Sequence, residues 1–199
     1  MATVAVQPSR LPSLHLPGIV GARHVPSLLG DQALVAVHDV VNLGGIAVFS
    51  GPTGTSKTYT AVSICERLAI RPIYVEIEPD ARGNDVYVLA LRRALGEGNF
   101  DESVPRRKLR DLLAHLCREP ALWVLDEIDR AGSYGREVVR YLVAQQENRA
   151  AFLMVGERVE RYIGVDPAFE SRVARWVSFP VPNRGEMFAF ARAFHPLYE

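Results

Sequence analysis

Gly51-Pro-Thr-Gly-Thr-Ser-Lys57-Thr58 follows a short apolar run, Ile46-Ala-Val-Phe49, and opens a helix-like pattern. The stretch reads as a P-loop, G-x-x-x-x-G-K-[ST], with Ser56 where the second glycine normally stands. Glycines let a backbone turn tightly enough for successive N–H groups to face a phosphate. The helix that follows adds the positive end of its dipole. The candidate nucleotide contacts are therefore Gly51, Pro52, Thr53, Gly54, Thr55, Ser56, Lys57 and Thr58. Lys57 is expected at the β- and γ-phosphates of ATP, and Thr58 on Mg²⁺. The competing reading is a glycine-rich turn that happens to precede a lysine. Serine at position 56 adds a Cβ and a hydroxyl, and costs conformational energy if φ there is positive. It is expected to weaken nucleotide binding or slow turnover.

A second segment supports the first. Ala121-Leu-Trp-Val-Leu-Asp126-Glu127 is a continuous apolar run ending in acids, as in a strand buried on both faces. It comes about 70 residues after the lysine, with two helical patterns between. Asp126 fits an acid that holds Mg²⁺, usually through water. Glu127 fits the general base that orients and deprotonates an attacking water. The plainer alternative is an ordinary strand followed by an acidic helix cap.

The chain has 199 residues, enough for one well-buried domain. With 48% hydrophobic residues it should be globular, and 23 basic side chains cancel 23 acidic ones. A strongly basic nucleic-acid protein is not indicated, although a local basic face is compatible with neutrality. Cys65 and Cys117 fall on apolar helical faces and read as buried free thiols, which suits the cytoplasm. No apolar run approaches membrane-spanning length, and the N-terminus lacks a signal-peptide core. The five histidines are scattered without metal spacing.

Residues 1–27, with Pro8, Pro12, Pro17 and Pro26, read as an extended arm, and 28–199 as the folded core. Helices are expected over 31–42 with Asp31 as cap, 57–69, 84–95 with Asn84 as cap, 105–118, 134–147 and 183–194. Strands are expected over 46–50, 72–78, 121–126, 151–155 and 173–180. Residues 72–78 alternate, with Ile73, Val75 and Ile77 on one face and Tyr74, Glu76 and Glu78 on the other. That marks a half-exposed edge strand, and 173–180 reads as the other edge. Strands alternating with helices imply an α/β fold with a five-stranded parallel sheet covered on both sides, a three-layer sandwich.

This combination resembles the AAA+ P-loop ATPases, whose strands run in the order 5-1-4-3-2. Phe152-Leu-Met-Val-Gly156, Phe169-Glu-Ser-Arg172-Val and Val177-Ser-Phe-Pro resemble the transposition-regulator branch, which includes the target-selection ATPase of transposing phage Mu. The resemblance covers roughly residues 30–195. It implies an ATPase that oligomerises as a ring or helical filament on double-stranded DNA and acts with a transposase or other recombination protein. It also implies that Arg172 is an arginine finger acting on a neighbouring subunit's ATP, with Arg175 as the fallback and a plain surface arginine as the alternative. Glu157 stands at the family's sensor position. The helical lid of the family is largely absent, so the protein is either lid-reduced or a fragment.

Pro105-Arg106-Arg107-Lys108-Leu-Arg110 is the densest basic cluster, and Arg92-Arg93 precedes it. Arg106, Arg107 and Lys108 are candidate DNA-backbone contacts, with Arg82, Arg92 and Arg93 as an alternative surface. A solvated helix face explains the same charges. Two other functions remain open: a helicase-loading or replication-initiation ATPase, and an ATP-binding assembly switch with little hydrolysis.

Overall fold

A computed structural model describes residues 27–78, 85–95, 105–145 and 149–194. Five strands form one sheet: β1 (Gly45–Ser50), β2 (Pro72–Glu76), β3 (Leu122–Asp126), β4 (Ala151–Gly156) and β5 (Val173–Ser178). Their order is β2-β3-β4-β1-β5, and every neighbouring pair is parallel. This is the three-layer α/β sandwich, with the edges and the centre where the hydrophobic patterns put them.

Strand periodicity explains how one sheet builds two cores. Successive side chains point to opposite faces. Ile46 and Val48, Trp123 and Leu125, and Phe152 and Met154 pack on one side. Helices α3 (Asp85–Leu95), α4 (Arg106–Leu116) and α5 (Gly132–Val143) cover that side. Ala47 and Phe49, Leu122 and Val124, and Leu153 and Val155 pack on the other. Helices α1 (Leu28–Leu43) and α2 (Lys57–Arg67) cover it. The three central strands are apolar up to their C-terminal ends because neither face meets water.

The structure corrects several local expectations. Ser27, not Asp31, caps α1: its hydroxyl accepts the Gly30 N–H at 3.0 Å. Asp31 lies in the first turn, where its charge complements the helix dipole. The rest of the expected arm, residues 1–26, and the Asn84 cap lie outside the described residues. Helix α5 ends at Val143 and is preceded by a single 3-10 turn, Ile128–Ala131. Two short helices, α6 (Val159–Gly164) and α7 (Pro167–Glu170), connect β4 to β5. At six and four residues they are too short to show a helical period. They are anchored by buried Val159, Ile163 and Phe169. Helix α8 (Arg184–Phe194) follows β5. Tyr74 is buried under α2 rather than sharing an exposed face with Glu76 and Glu78. The edge strand is covered on both faces for most of its length, so alternation misled there.

No helix among the described residues is long and apolar enough to cross a membrane. Cys65 and Cys117 are buried free thiols, and burial pushes both up to about 12. They are poor nucleophiles at neutral pH.

Ser56 occupies the left-handed region, with φ 67° and ψ 17°. This conformation costs an L-residue about 1–2 kcal/mol. Ser56→Gly removes that cost but frees the unfolded chain by about 0.4–1 kcal/mol. The variant is expected to be more stable by up to about 1.6 kcal/mol, read as a higher urea midpoint. A lower midpoint would mean that the Ser56 hydroxyl, which donates to the Thr55 carbonyl at 2.6 Å, holds the turn instead.

Candidate nucleotide-binding site

The loop between β1 and α2 is shaped by a close backbone approach. Phe179 N donates to the Ser50 carbonyl at 2.7 Å, extending β5 alongside the end of β1. A Cβ on Gly51 would sit 2.1 Å from the Phe179 carbonyl oxygen, so only glycine fits. Gly54, with φ 81°, and Ser56 complete the turn into α2. Thr55 Oγ1 donates to the Pro52 carbonyl at 2.8 Å and closes the loop on itself. Lys57 is nearly buried, and its Nζ donates to the Gly51 and Pro52 carbonyls at 2.7 and 2.8 Å. The ammonium is thus held at the rim of the loop.

Asp126 ends β3 with 3% of its surface exposed. Its Oδ2 accepts from Thr58 Oγ1 at 2.8 Å and from the Tyr74 hydroxyl, and its Oδ1 accepts from Glu127 N at 2.9 Å. Burial and the adjacent Asp126 charge push the Tyr74 phenol far above the ordinary tyrosine range. Tyr74 therefore stays a donor at any physiological pH. Sequence reading missed it, because the alternation of β2 put it on the exposed side.

Glu127 follows with φ 56°, a second non-glycine residue in the left-handed region. Its carboxylate lies 3.4 Å from Arg130 Nε. Burial raises its pKa first of all, and the charges of Asp126 and Asp129 add to the effect. Arg130 and Lys57 oppose it. The result is a half-buried carboxylate more basic than an ordinary glutamate.

The β4–α6 connection closes the loop's other side. Buried Ser50 donates to Glu160 Oε2 and to the Glu157 carbonyl at 3.4 Å. Thr53 Oγ1 lies 3.5 Å from Glu157 Oε2, which puts Glu157 beside the loop. Asp129 backs this connection. Its Oδ2 accepts from Arg158 N at 3.3 Å, and a Cβ on Gly156 would meet its Oδ1 at 2.1 Å. Ser50, Glu160 and Asp129 carry no signal that a single sequence can give. A cavity of about 190 Å³ opens beside the loop, lined by Ser27, Gly30, Ser56, Tyr59, Thr60 and Phe190 among others.

Thr58 and Asp126 offer oxygen ligands, the donor chemistry that Mg²⁺ takes. Mg²⁺ is usually held by one or two protein oxygens together with phosphate and water. Among the described residues no group of three or more His, Cys, Asp or Glu side chains could form a larger cage. The residues present fit a phosphate-shared Mg²⁺.

The remaining candidates lie elsewhere. Arg172 is exposed just before β5, and its carbonyl oxygen borders Gly45 at the start of β1. Six residues of strand separate that edge from Gly51, roughly 20 Å at about 3.3 Å per residue. Arg172 therefore does not join the loop of its own chain. Arg175 pairs with Asp39 on α1 through Nε and Nη2 at 2.8 and 2.7 Å. Arg107 and Lys108 are exposed in the first turn of α4. The carbonyl of Cys117, at the other end of that helix, accepts from Arg149 and Ala150 just before β4. The basic turn thus lies toward the sheet edge where the strands end, the edge that carries the P-loop. Arg110 is set apart from that turn, stacked 4.4 Å over the Tyr141 ring. The Arg106 side chain and Arg82 lie outside the described residues, and Arg92 and Arg93 fall in the last turn of α3.

The sequence profile of the AAA domain matches residues 41–161, more than half of the chain. No curated protein matches the sequence significantly. Among solved structures, Cdc6p from Pyrobaculum aerophilum is similar at 18% identity and TM-score 0.70, covering 90% of this chain and 52% of that one. The ADP form of the Aeropyrum pernix ORC2 protein is similar at 18% identity and TM-score 0.62, with 90% and 54% covered. The Aeropyrum pernix ORC1 protein in complex with DNA is similar at 20% identity and TM-score 0.63, with 85% and 50% covered. At such identities the likeness concerns the fold, and this chain spans about half the length of each. No transposition protein is among these structures, so the resemblance to the phage Mu branch rests on the sequence alone. The matched profile includes both the loop that ends in Lys57-Thr58 and the strand that ends in Asp126, and the chain belongs to the AAA domain family of P-loop ATPases.

Proposed function

We propose that this chain binds ATP with Mg²⁺, hydrolyses it, and uses the bound state to assemble copies of itself on double-stranded DNA. The observation that carries the reading is the meeting of Lys57, Thr58, Asp126 and Glu127 where β1 and β3 end. Lys57 would leave the Gly51 and Pro52 carbonyls for the β- and γ-phosphates. Thr58 and Asp126 would hold Mg²⁺, which when bound offsets phosphate charge. Glu127, raised by burial, would orient and deprotonate the attacking water. The neighbouring cavity would receive the nucleoside. Arg172 would act across a subunit boundary, because the distance along β1 keeps it from its own loop. The Asp39 pairing of Arg175 makes it the weaker finger.

Of the DNA-associated roles, replication initiation or helicase loading has the better support, since Cdc6 and ORC proteins share the fold and one of them was solved with DNA. Residues 152–156, 169–173 and 177–180 favour transposition regulation. Helicase binding would support the first role and transposase stimulation the second.

Lys57→Ala is expected to weaken ATP binding at least tenfold, since a hydrogen bond to a charged group contributes about 1.5–3 kcal/mol. Unchanged affinity in a direct titration of folded protein would reject the P-loop role. Arg172→Ala is expected to keep nucleotide binding while losing turnover in the assembly. Mixing it with Lys57→Ala should restore activity, because mixed interfaces pair an intact loop with an intact finger. No recovery in assemblies shown to be mixed counts against action in trans.

Weak basic contacts, repeated along an assembly, add through effective concentration. Duplex binding is therefore expected to be weak without nucleotide, much tighter with a non-hydrolysable ATP analogue, and steeply salt-dependent. Fluorescence anisotropy of labelled duplex across a salt series checks this. Absence of binding at low salt by confirmed oligomers would replace the DNA reading with the assembly switch.

A further inference from the structure

We infer that Tyr74 is a positioning residue for the Mg²⁺ site, acting through Asp126. The inference rests on the nucleotide-site reading above and adds to it a residue that touches neither phosphate nor metal. Three donors surround the Asp126 carboxylate, and they come from different elements. Thr58 Oγ1 reaches Oδ2 from α2, Glu127 N reaches Oδ1 from the end of β3, and the Tyr74 hydroxyl reaches Oδ2 from β2. Glu127 N and Thr58 both belong to segments that would contact the nucleotide and water. Tyr74 does not. It lies in the middle of β2, in register with Val124 of β3, and is buried in the cluster that also holds Ala61, Val62 and Cys65 of α2.

This makes Tyr74 the fixed point of the three. Its ring is locked by packing on both the sheet and α2, so its hydroxyl sets where Oδ2 can be. A carboxylate at 3% exposure cannot exchange that donor freely for bulk water. With the hydroxyl removed, Asp126 must rotate or draw closer to Thr58. Either change misplaces the oxygen that would face the metal. Partners of this kind around metal-ligating carboxylates typically alter metal affinity 10–100-fold when removed.

The test is Tyr74→Phe, which keeps the ring and removes one oxygen. Binding of a fluorescent ATP analogue is titrated in EDTA and then across a Mg²⁺ series, with circular dichroism confirming the fold. The expected result is unchanged affinity in EDTA and a Mg²⁺ half-point raised about tenfold or more. In the Asp126→Asn background the same substitution should shift the half-point less than twofold, because the effect on Mg²⁺ runs through that carboxylate. A shift of more than twofold in that background overturns the inference, including where Tyr74→Phe alone is too unstable to titrate. A half-point within twofold of wild type overturns the inference while leaving the nucleotide site intact. Equal loss of binding with and without Mg²⁺ by folded protein also overturns it, since that is a structural effect. If wild-type protein binds the analogue without any response to Mg²⁺, the Mg²⁺ site itself fails and the inference with it.

Discussion

Asp126 is a nearly buried carboxylate, and the site is arranged around keeping it satisfied. A buried charge without donors is costly, and removing one partner of such a group costs more than the hydrogen bond itself contributes in water. Here the donors arrive from α2, β2 and the turn after β3. Strand order explains why this is possible. β2 lies directly beside β3, whereas β1, which leads into α2, is separated from β3 by β4. α2 must therefore cross over β4 to bring Thr58 to Asp126. The parallel crossover that builds the second core is the same feature that assembles the site.

Strain is concentrated beside that carboxylate. Ser56 and Glu127 are the non-glycine residues with positive φ among the described residues. One immediately precedes Lys57, and the other immediately follows Asp126. Such conformations persist where packing on either side over-determines them. The flanking segments meet that condition: Phe49, Val124 and Ile128 are fully buried. The left-handed turn at Glu127 sends the chain into the 3-10 turn rather than on along β3. It leaves the carboxylate half-exposed beside Arg130, while its neighbour in sequence is sealed. Two adjacent acids thus receive opposite environments from one backbone turn.

The parts of this structure legible in sequence were those with a local signature. The uniformly apolar runs at 46–49, 121–125 and 151–155 located the centre of the sheet. The glycines and the lysine at 51–57 located the loop. Strand edges also followed from pattern, but Tyr74 did not. A tyrosine alternating with glutamates looks solvent-facing, and only the tertiary packing that puts it in one cluster with Ala61, Val62 and Cys65 of α2 reveals that it is buried. Ser50 and Glu160 meet across 110 positions of sequence, and Asp129 backs a loop 29 positions away. Contacts of that range leave no trace in spacing. Helices α6 and α7 were missed because their few residues cannot display a period.

Those missed elements occupy the path between the two edges of the sheet. Ser50 and Thr53 contact the start of the β4–α6 connection, at the end of β1. The chain then runs through α6 and α7, which return it to the start of β5 and to Arg172. Buried Val159, Ile163 and Phe169 bind this connection to the core cluster that also contains Ile46 and Met154. It is a packed pair of short helices rather than a loose loop, and packed elements shift as bodies rather than deforming gradually. On the proposed reading, the two ends of this body serve different ATP molecules. Glu157 and Glu160 border the chain's own phosphate loop, while Arg172 would face a neighbour's. A phosphate that displaces the Thr53–Glu157 contact in one subunit would therefore bear on the segment that presents its arginine to the next. Coupling of that kind needs no element beyond those already holding Ser50 and Phe169 in place.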